Sequence, residues 1–216
     1  METRFLRWIE HAGFLIEISG KNVYVDPFRL RGPMPKADIV FITHTHYDHL
    51  NEEALGKIVT GETRFVAPKE TASKLAGKKV LVVEPGKDYE IEGIRFSTVP
   101  AYNIGKEFHP RANGWVGYVI EANGVRVYLP GDTDATEEMR NVKADIFMVP
   151  IGGHYTMDLQ EAIKIANQVH AQAIVPIHYR ALLGEEGSRK AEEEFRKKVK
   201  NALILEQVQE PYYSLQ

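Results

Sequence analysis

The chain contains no cysteine among its 216 residues. Disulfide bonds are therefore absent, and any transition-metal site has to be built from histidine and carboxylate ligands. A strong charge of one sign is also lacking, since the formal net charge is −3. Long apolar runs are missing too, and no stretch approaches the ~20 apolar residues that a membrane helix needs.

These absences exclude several classes of protein. A sequence pI of about 6.3 does not indicate the basic surface of a nucleic-acid-binding domain, so nucleic acid is not an expected partner. The first residues, Met1 to Phe5, lack the apolar core of a signal peptide. We therefore expect a cytoplasmic protein without a membrane segment. With 44% hydrophobic and 26% charged residues, the composition is typical of one globular domain over residues 1–216.

Hydrophobic periodicity predicts two series of strands with helices between and after them. The predicted strands are Phe5 to Ile9, Phe14 to Ile18, Asn22 to Val25, Ile39 to Ile42, Arg64 to Ala67, Val80 to Val83, Ile94 to Val99, Trp115 to Glu121, Val125 to Leu129, Asp145 to Pro150 and Ala173 to Pro176. The predicted helices are Glu52 to Val59, Lys69 to Ala76, Asp158 to Val169 with Asp158 as N-cap, and Arg189 to Lys200. This order favours an α/β protein of two sheets packed face to face with helices outside, although periodicity leaves other layered architectures open.

The strongest chemical signal follows the apolar run Ile39 to Ile42. His44, His46, Asp48 and His49 place three histidines and one aspartate within six residues. Residues two apart in an extended segment point the same way, so His44 and His46 can converge on one ion. After the chain turns, Asp48 and His49 can face a second ion. A solvated histidine-rich loop is the alternative, but it does not account for this density and spacing.

The pattern His-x-His-x-Asp-His after a buried strand resembles the signature of the metallo-β-lactamase superfamily. Further segments resemble that superfamily's opening strands, its bridging aspartate and its last histidine: Trp8 to Phe14, Tyr24 to Pro27, Gly131 to Thr133 and Pro176 to Tyr179. Thr156-Met157 and Glu161-Ala162 resemble a narrower branch of small metal-dependent hydrolases related to the ascorbate-6-phosphate lactonases. The resemblance implies a four-layer αββα sandwich, the metallo-β-lactamase fold, with a metal site at one edge of the two sheets.

The resemblance also implies ligands outside the first cluster. Asp132 corresponds to a carboxylate that bridges two ions, and His178 to the last ligand of the second ion. Taken alone, either residue could be structural, since Gly-Asp-Thr is ordinary turn chemistry. The third histidine of the first ion usually follows a Pro-Ala-like pair, but Pro100-Ala101 is followed by Tyr102-Asn103. We prefer His109, in the same loop, over Asn103 because imidazole is the better ligand.

Four other residues are candidates for supporting roles. His154 follows a predicted strand end, where it would orient or polarise substrate as a catalytic residue, or bond to backbone. His11 lies in a turn near the first strands and could position a ligand. Lys106 and Arg111 share the loop of His109 and could receive an anionic group of the substrate, although solvated loop charges are commoner.

The resemblance and the ligand set together predict a metal-dependent hydrolase with two divalent ions, zinc being expected and Mn(II) or Fe compatible. A metal-bridged hydroxide, oriented by Asp48, would cleave an ester, lactone, amide or phosphodiester of a small molecule, and an anionic small molecule is compatible with the loop cations. Two alternatives are a nuclease or phosphodiesterase acting on nucleic acid and a non-enzymatic binding module with a partly decayed metal site. The di-iron reductases of this fold carry Glu where His46 stands, so a redox role is not favoured. A homo-oligomer is left open.

Overall fold

The computed structural model describes residues 4–208, which form two six-stranded mixed sheets. The first sheet has the order β1-β2-β3-β4-β5-β6 and consists of β1 (Leu6–Glu10), β2 (Gly13–Ile18), β3 (Lys21–Val25), β4 (Ile39–Phe41), β5 (Arg64–Pro68) and β6 (Lys79–Val83). The second has the order β12-β11-β10-β9-β8-β7 and consists of β7 (Asp88–Ile91), β8 (Ile94–Pro100), β9 (Val116–Ala122), β10 (Val125–Leu129), β11 (Ile146–Pro150) and β12 (Ala173–Ile177).

Five helices accompany the sheets within the described residues. They are α1 (Glu52–Ile58), α2 (Lys69–Lys74), α3 (Glu137–Arg140), α4 (Leu159–Ala166) and α5 (Arg180–Lys198). The backbone of α5 is interrupted at Gly184, whose φ of 66° and ψ of −179° are not helical. Asp158 caps α4 as predicted: its carboxylate accepts from Glu161 N, and the Glu161 carboxylate accepts from Asp158 N.

The buried residues explain the layered arrangement. Between the sheets, the rings of Phe41, Phe96 and Tyr118 pack edge to face, with centroids 4.9–6.0 Å apart. A second apolar cluster under α1 and α2 covers the outer face of the first sheet. On the other side, α4 and α5 contact β11 and β12, whose residues are all buried, as expected of parallel strands covered on both faces. The expected αββα sandwich is thus confirmed.

Most predicted elements are found within two residues of their expected ends, and the differences have local causes. The edge strand β7 was not predicted, because its residues are exposed or half-buried and its apolar pattern is weak. The single turn α3, capped by Thr136, is too short to show a helical period. The last helix starts at Arg180 instead of the predicted Arg189, because Gly184 interrupts the helical sequence pattern after its first turn.

The fold brings several strand ends to one edge. The parallel strands β3, β4 and β5 of the first sheet, and β10, β11 and β12 of the second, end there. Two backbone hydrogen bonds tie the loops across this edge: Val116 N donates to Thr43 O at 3.3 Å, and His178 N donates to His11 O at 3.1 Å. Among the described residues, no helix is long and apolar enough to cross a membrane.

Candidate metal centre

The first cluster of histidines is shaped by a turn directly after β4. His44 leaves the strand buried, and the backbone N–H groups of His49 and Leu50 both donate to His46 O, at 3.0 and 2.8 Å. The turn reverses the chain between His46 and His49. It therefore presents His44 and His46 on one side of the loop and Asp48 and His49 on the other, as the sequence spacing predicts.

One group of ligand atoms consists of His44, His46 and His109, each offering a nitrogen within 4.8 Å of the other two. His44 Nε2 lies 3.1 Å from His46 Nδ1. His109 reaches the group from the loop before β9, and its ring is buried. Burial lowers the pKa of His44 well below its usual value, with a further contribution from the neighbouring imidazoles. A neutral imidazole is the form that binds a metal ion.

A second group contains Asp48, His49 and His178, joined by His11, again with ligand atoms within 4.8 Å of one another. Asp132 lies between the two groups. Its Oδ1 is 3.2 Å from His49 Nε2 and 3.0 Å from His178 Nε2, whereas its Oδ2 is 3.3 Å from His109 Nε2. The carboxylate therefore directs one oxygen towards each group.

The buried imidazole nitrogens and the Asp132 carboxylate at this point lie 3.0–3.3 Å apart, yet several of these atoms form no well-directed hydrogen bond within the described residues. They include His49 Nε2, His109 Nε2, His178 Nε2 and Asp132 Oδ1. Buried polar atoms nearly always form hydrogen bonds, so four unsatisfied atoms that face one another require an explanation. Divalent cations would satisfy all four, and imidazole with carboxylate is the donor set that zinc and its neighbours prefer. The residues present therefore fit a metal centre.

The electrostatics of the centre are dominated by close opposite charges. Burial alone would raise the pKa of Asp132, but the imidazoles of His178 and His49 outweigh it and hold that pKa well below its usual value. Burial would likewise lower the pKa of His49, but Asp132 and Asp26 raise it well above its usual value. Asp132 therefore stays ionised, and a bound cation would displace the proton that the two carboxylates hold on His49.

Asp26 supports the centre from behind, a role that the sequence did not reveal. It follows β3, is buried, and accepts hydrogen bonds from Thr43 N at 2.8 Å, Thr43 Oγ1 at 2.6 Å and His49 Nδ1 at 2.7 Å. With Nδ1–H donated to Asp26, the Nε2 lone pair of His49 is directed into the centre. The available signal was the segment Tyr24 to Pro27, whose resemblance marked it without assigning a role to the aspartate.

Asn103 supports His109 in the same way. Its Oδ1 accepts from the backbone N of His109 at 3.0 Å and from His109 Nδ1 at 2.9 Å. Its Nδ2 donates to Asp134 Oδ1 at 3.1 Å and to Tyr155 O at 3.0 Å. Of the two residues that the sequence left open for the first ion, His109 is thus placed among the ligand atoms and Asn103 behind it.

His11 contacts the second group directly. Its Nε2 lies 3.0 Å from Asp48 Oδ2, and its ring centroid lies 3.6 Å from that of His178. Burial opposes ionisation of Asp48, but the hydrogen bond from His11 and the charge of His49 hold the pKa of Asp48 well below its usual value. His11, Asp26 and His178 all have left-handed backbone, with φ of 60°, 43° and 58°. Non-glycine residues adopt this region at a cost, and such residues cluster at functional sites.

A pocket of about 370 Å³ opens above the centre. Its lining comprises His11, Phe28, Arg29, His46, Tyr47, Asp48, Phe108, His109, Asp132, Tyr155, His178, Ala181 and Leu182. Three candidates from the sequence are absent from this lining. Lys106 donates to Asp134 Oδ1 and Thr156 O, both at 2.7 Å, and Arg111 pairs with Glu138 at 2.7 Å. His154 is exposed and packs its ring against Phe108, with centroids 5.1 Å apart.

Comparison with known proteins agrees with the fold and the centre. Two relatives named UPF0173 metal-dependent hydrolase are each 31% identical to the chain. The one from Thermococcus onnurineus aligns over 81% of this chain and 84% of its own length, and the one from Methanosarcina mazei over 90% of both. The crystal structure of a metal-dependent hydrolase from Parabacteroides distasonis is 28% identical, with a TM-score of 0.81 over 94% of this chain and 93% of that one. The metallo hydrolase Igni18 from Ignicoccus hospitalis, at 22% identity, shares the fold with a TM-score of 0.75, over 94% of this chain and 95% of its own.

Two facing sheets with a histidine- and carboxylate-rich centre at their common edge define the class of metal-dependent hydrolases with a metallo-β-lactamase fold. A family profile described as "Beta-lactamase superfamily domain" matches residues 5–178, and the chain belongs to this superfamily. It is an enzyme, a metal-dependent hydrolase, as its relatives are named. The family and the coarse function predicted from the sequence are thereby confirmed.

Proposed function

We propose that this enzyme hydrolyses an ester, lactone, amide or phosphodiester of a small molecule at a centre of two divalent ions, zinc being the expected metal. The observation that carries the proposal is the position of Asp132, which directs one oxygen to each of two groups of ligand atoms. Bound ions would act as Lewis acids and would lower the pKa of a bound water towards neutrality. Mn(II) or Fe is compatible with the same donors.

Each group supplies three ligands besides the shared carboxylate. The first ion would be held by His44, His46 and His109, and the second by Asp48, His49 and His178. Both sets are predominantly buried, and the rings of His49 and His109 are fixed from behind by hydrogen bonds to Asp26 and Asn103, which is the support that metal-binding histidines usually have.

Asp48 is the proposed catalytic carboxylate. It lines the pocket, and the hydrogen bond between its Oδ2 and His11 Nε2 fixes its orientation. Since its pKa is lowered, it remains an acceptor at neutral pH and can orient the hydrogen of an attacking water. The catalytic role of His154 stays a prediction. From its position, His154 would act through the rings of Phe108 and Tyr155, both of which line the pocket.

A small-molecule substrate is favoured over nucleic acid by the pocket itself. Its volume of about 370 Å³ lies at the lower end of the ~300–1,000 Å³ typical of small-molecule sites. Aromatic and aliphatic side chains form much of its wall, whereas an RNA-binding groove would carry a row of cations for the backbone phosphates. No observation favours the nuclease alternative.

The test is the metal content of four proteins after reconstitution with Zn(II): wild type, His109→Ala, Asn103→Ala and the control His170→Ala, whose histidine is exposed and outside the centre. Wild type and control should hold two ions per chain, His109→Ala about one, and Asn103→Ala two with one more weakly bound. One ion or none in wild type, unchanged by His109→Ala, would contradict the dinuclear proposal.

Turnover is tested on the same preparations. Panels of lactones, aryl esters, aryl amides and phosphodiesters should contain at least one substrate whose hydrolysis stops on chelation and returns with Zn(II). If two ions bind but no bond in the panel is cleaved, the proposed range of substrates is wrong.

A further inference from the structure

The wall of the pocket away from the metal centre has a distinct composition. It is formed by Phe28, Tyr47, Phe108, Tyr155 and Leu182. Of these, Tyr47 is 72% exposed, and Tyr155 and Leu182 are each 41% exposed. Large apolar side chains left exposed at the mouth of a pocket usually mark a surface that contacts a ligand. The wall is therefore suited to an apolar, preferably aromatic, part of a substrate.

Arg29 is the single cation among the residues that line this pocket. Its guanidinium lies over the ring of Phe28, with 4.8 Å from Cζ to the ring centroid, and its side chain is 55% exposed. Stacking on Phe28 restricts the side chain of Arg29 while leaving the N–H groups at the edge of its guanidinium plane accessible. Among residues 4–208, its one hydrogen bond runs from Nη1 to Glu10 Oε1, so most of its N–H donors remain available.

Glu10 does not neutralise this charge. Its carboxylate is shared by two guanidiniums, Arg29 at 3.3 Å and Arg31 at 3.3 Å, so the three side chains together carry a net positive charge. Both contacts are longer than the ~2.7–2.9 Å of strong charge-assisted hydrogen bonds. Glu10 is largely buried at the end of β1 and thus holds Arg29 near the pocket without consuming its capacity to bind an anion.

We infer that Arg29 is an anion-binding subsite and that the substrate is a small molecule with an apolar body and a carboxylate or phosphate group. The apolar body packs on the aromatic wall, and the anionic group pairs with the Arg29 fork beside Phe28. This inference rests on the proposed function for the identity of the reacting centre, but it concerns binding outside that centre. It replaces Lys106 and Arg111, whose charges are paired elsewhere, as the receiver of the anionic group.

The inference is tested by binding of non-reacting probes to the Zn(II)-loaded enzyme, measured by calorimetry. The probes are 3-phenylpropanoate, phenyl phosphate and the neutral 3-phenylpropanamide. The proteins are wild type, Arg29→Met, Arg29→Lys and the control Arg31→Met. Arg31 bonds to the same carboxylate but does not line the pocket, so its loss removes a nearby charge without removing the subsite.

Wild type should bind at least one anionic probe about tenfold or more tightly than the amide, since a charged hydrogen bond contributes that much at a half-exposed site. Arg31→Met should keep part of this preference, because Glu10 then pairs with Arg29 alone while the Arg29 side chain still lines the pocket. Arg29→Met should reduce this preference about tenfold, and Arg29→Lys should restore part of it. The stronger of the two anionic probes distinguishes a carboxylate from a phosphate substrate.

Three results would overturn the inference. The first is an unchanged preference for the anionic probe in Arg29→Met, which would place the anion on the metal ions. The second is a loss of this preference in Arg31→Met as large as that in Arg29→Met, and the third is a wild type that does not bind either anionic probe or does not prefer it to the amide. Failure of the proposed function is distinguishable, because a substrate panel without turnover leaves the probe binding of wild type and Arg29→Met intact as a separate result.

Discussion

Replacing Asp26 should separate the stability of the fold from the affinity of the metal centre. The carboxylate is buried and accepts three hydrogen bonds, from Thr43 N, Thr43 Oγ1 and His49 Nδ1. In Asp26→Ala, Thr43 N loses its acceptor and His49 Nδ1 keeps only Thr43 Oγ1, at 3.4 Å. Thr43 Oγ1 itself keeps His44 Nδ1 as a neighbour at 2.9 Å. One buried donor left unsatisfied costs ~1–3 kcal/mol, and a second left with one long contact costs up to that amount, so we expect a loss of about 1–6 kcal/mol in the free energy of unfolding.

Asp26→Asn should affect the two properties differently. The amide keeps the shape of the carboxylate and one oxygen for Thr43 N, so the loss of stability should be smaller than in Asp26→Ala. Its NH₂ group, however, then faces His49 Nδ1 and favours the tautomer whose Nε2 carries the proton. That tautomer cannot bind a metal ion, so affinity for the second ion should fall about 10–100-fold.

Denaturant unfolding and Zn(II) competition against a fluorescent chelator measure these two quantities. Asp38→Asn is the matched control, because the Asp38 carboxylate accepts from Asn22 N on the exposed side of the same sheet. It should change neither quantity appreciably. Wild-type zinc affinity in folded Asp26→Asn would refute the argument that Asp26 sets the tautomer of His49.

Four further predictions follow from the geometry of the centre. Asn103→Ala should weaken the binding of the first ion about tenfold in the same chelator competition, because it frees the ring of His109; an unchanged affinity would contradict this role of Asn103. Removing metal from wild type should lower the melting temperature by about 8–16 °C, and adding Zn(II) should restore it. A metal present at 1,000 times its Kd contributes ~4 kcal/mol to the free energy of unfolding, and each kcal/mol shifts the melting temperature by ~2–4 °C in a domain of this size. Two carboxylates raise the pKa of His49 against the effect of burial, so in the metal-free protein His49 holds a proton at pH 7 that metal binding releases. Calorimetric titration with Zn(II) in two buffers of different ionisation enthalpy should detect the release of about one proton. If no proton is released, the raised pKa of His49 is contradicted. Gly152→Ala would place a Cβ against the backbone carbonyl oxygen of His178, so it should cost about 1–3 kcal/mol in denaturant unfolding and weaken the binding of the second ion.

The sequence predicts those features of the site that are local along the chain. His44, His46, Asp48 and His49 lie within one turn, so spacing alone shows that they can bind together. His109 was preferred over Asn103 only because imidazole is the better ligand, since it lies in a long loop without a recognisable spacing to the first cluster. The structure places it among the ligand atoms through its hydrogen bonds to Asn103, a contact between side chains that no periodicity reveals.

Residues that act through tertiary contacts were harder to recognise. In the sequence, Asp26 is part of an Asp-Pro pair that ends a predicted strand. Its role depends on the parallel pairing of β3 with β4, which brings Asp26 next to Thr43. Arg29 is a lone loop arginine without a motif, whereas Lys106 and Arg111 shared a loop with a ligand and were therefore more conspicuous. Which charges are already neutralised depends on partners far along the chain, and the sequence does not show these pairs.

The left-handed backbone of His11, Asp26 and His178 has a consequence for any effort to improve this enzyme. At His11 and His178, glycine would relieve a conformational cost of about 1 kcal/mol or more, whereas at Asp26 the loss of the hydrogen bonds would outweigh this gain. Each such substitution would remove a side chain that contacts the metal centre. Thermal tolerance should therefore be sought in the distant outer layers, such as the solvent-facing side of α5.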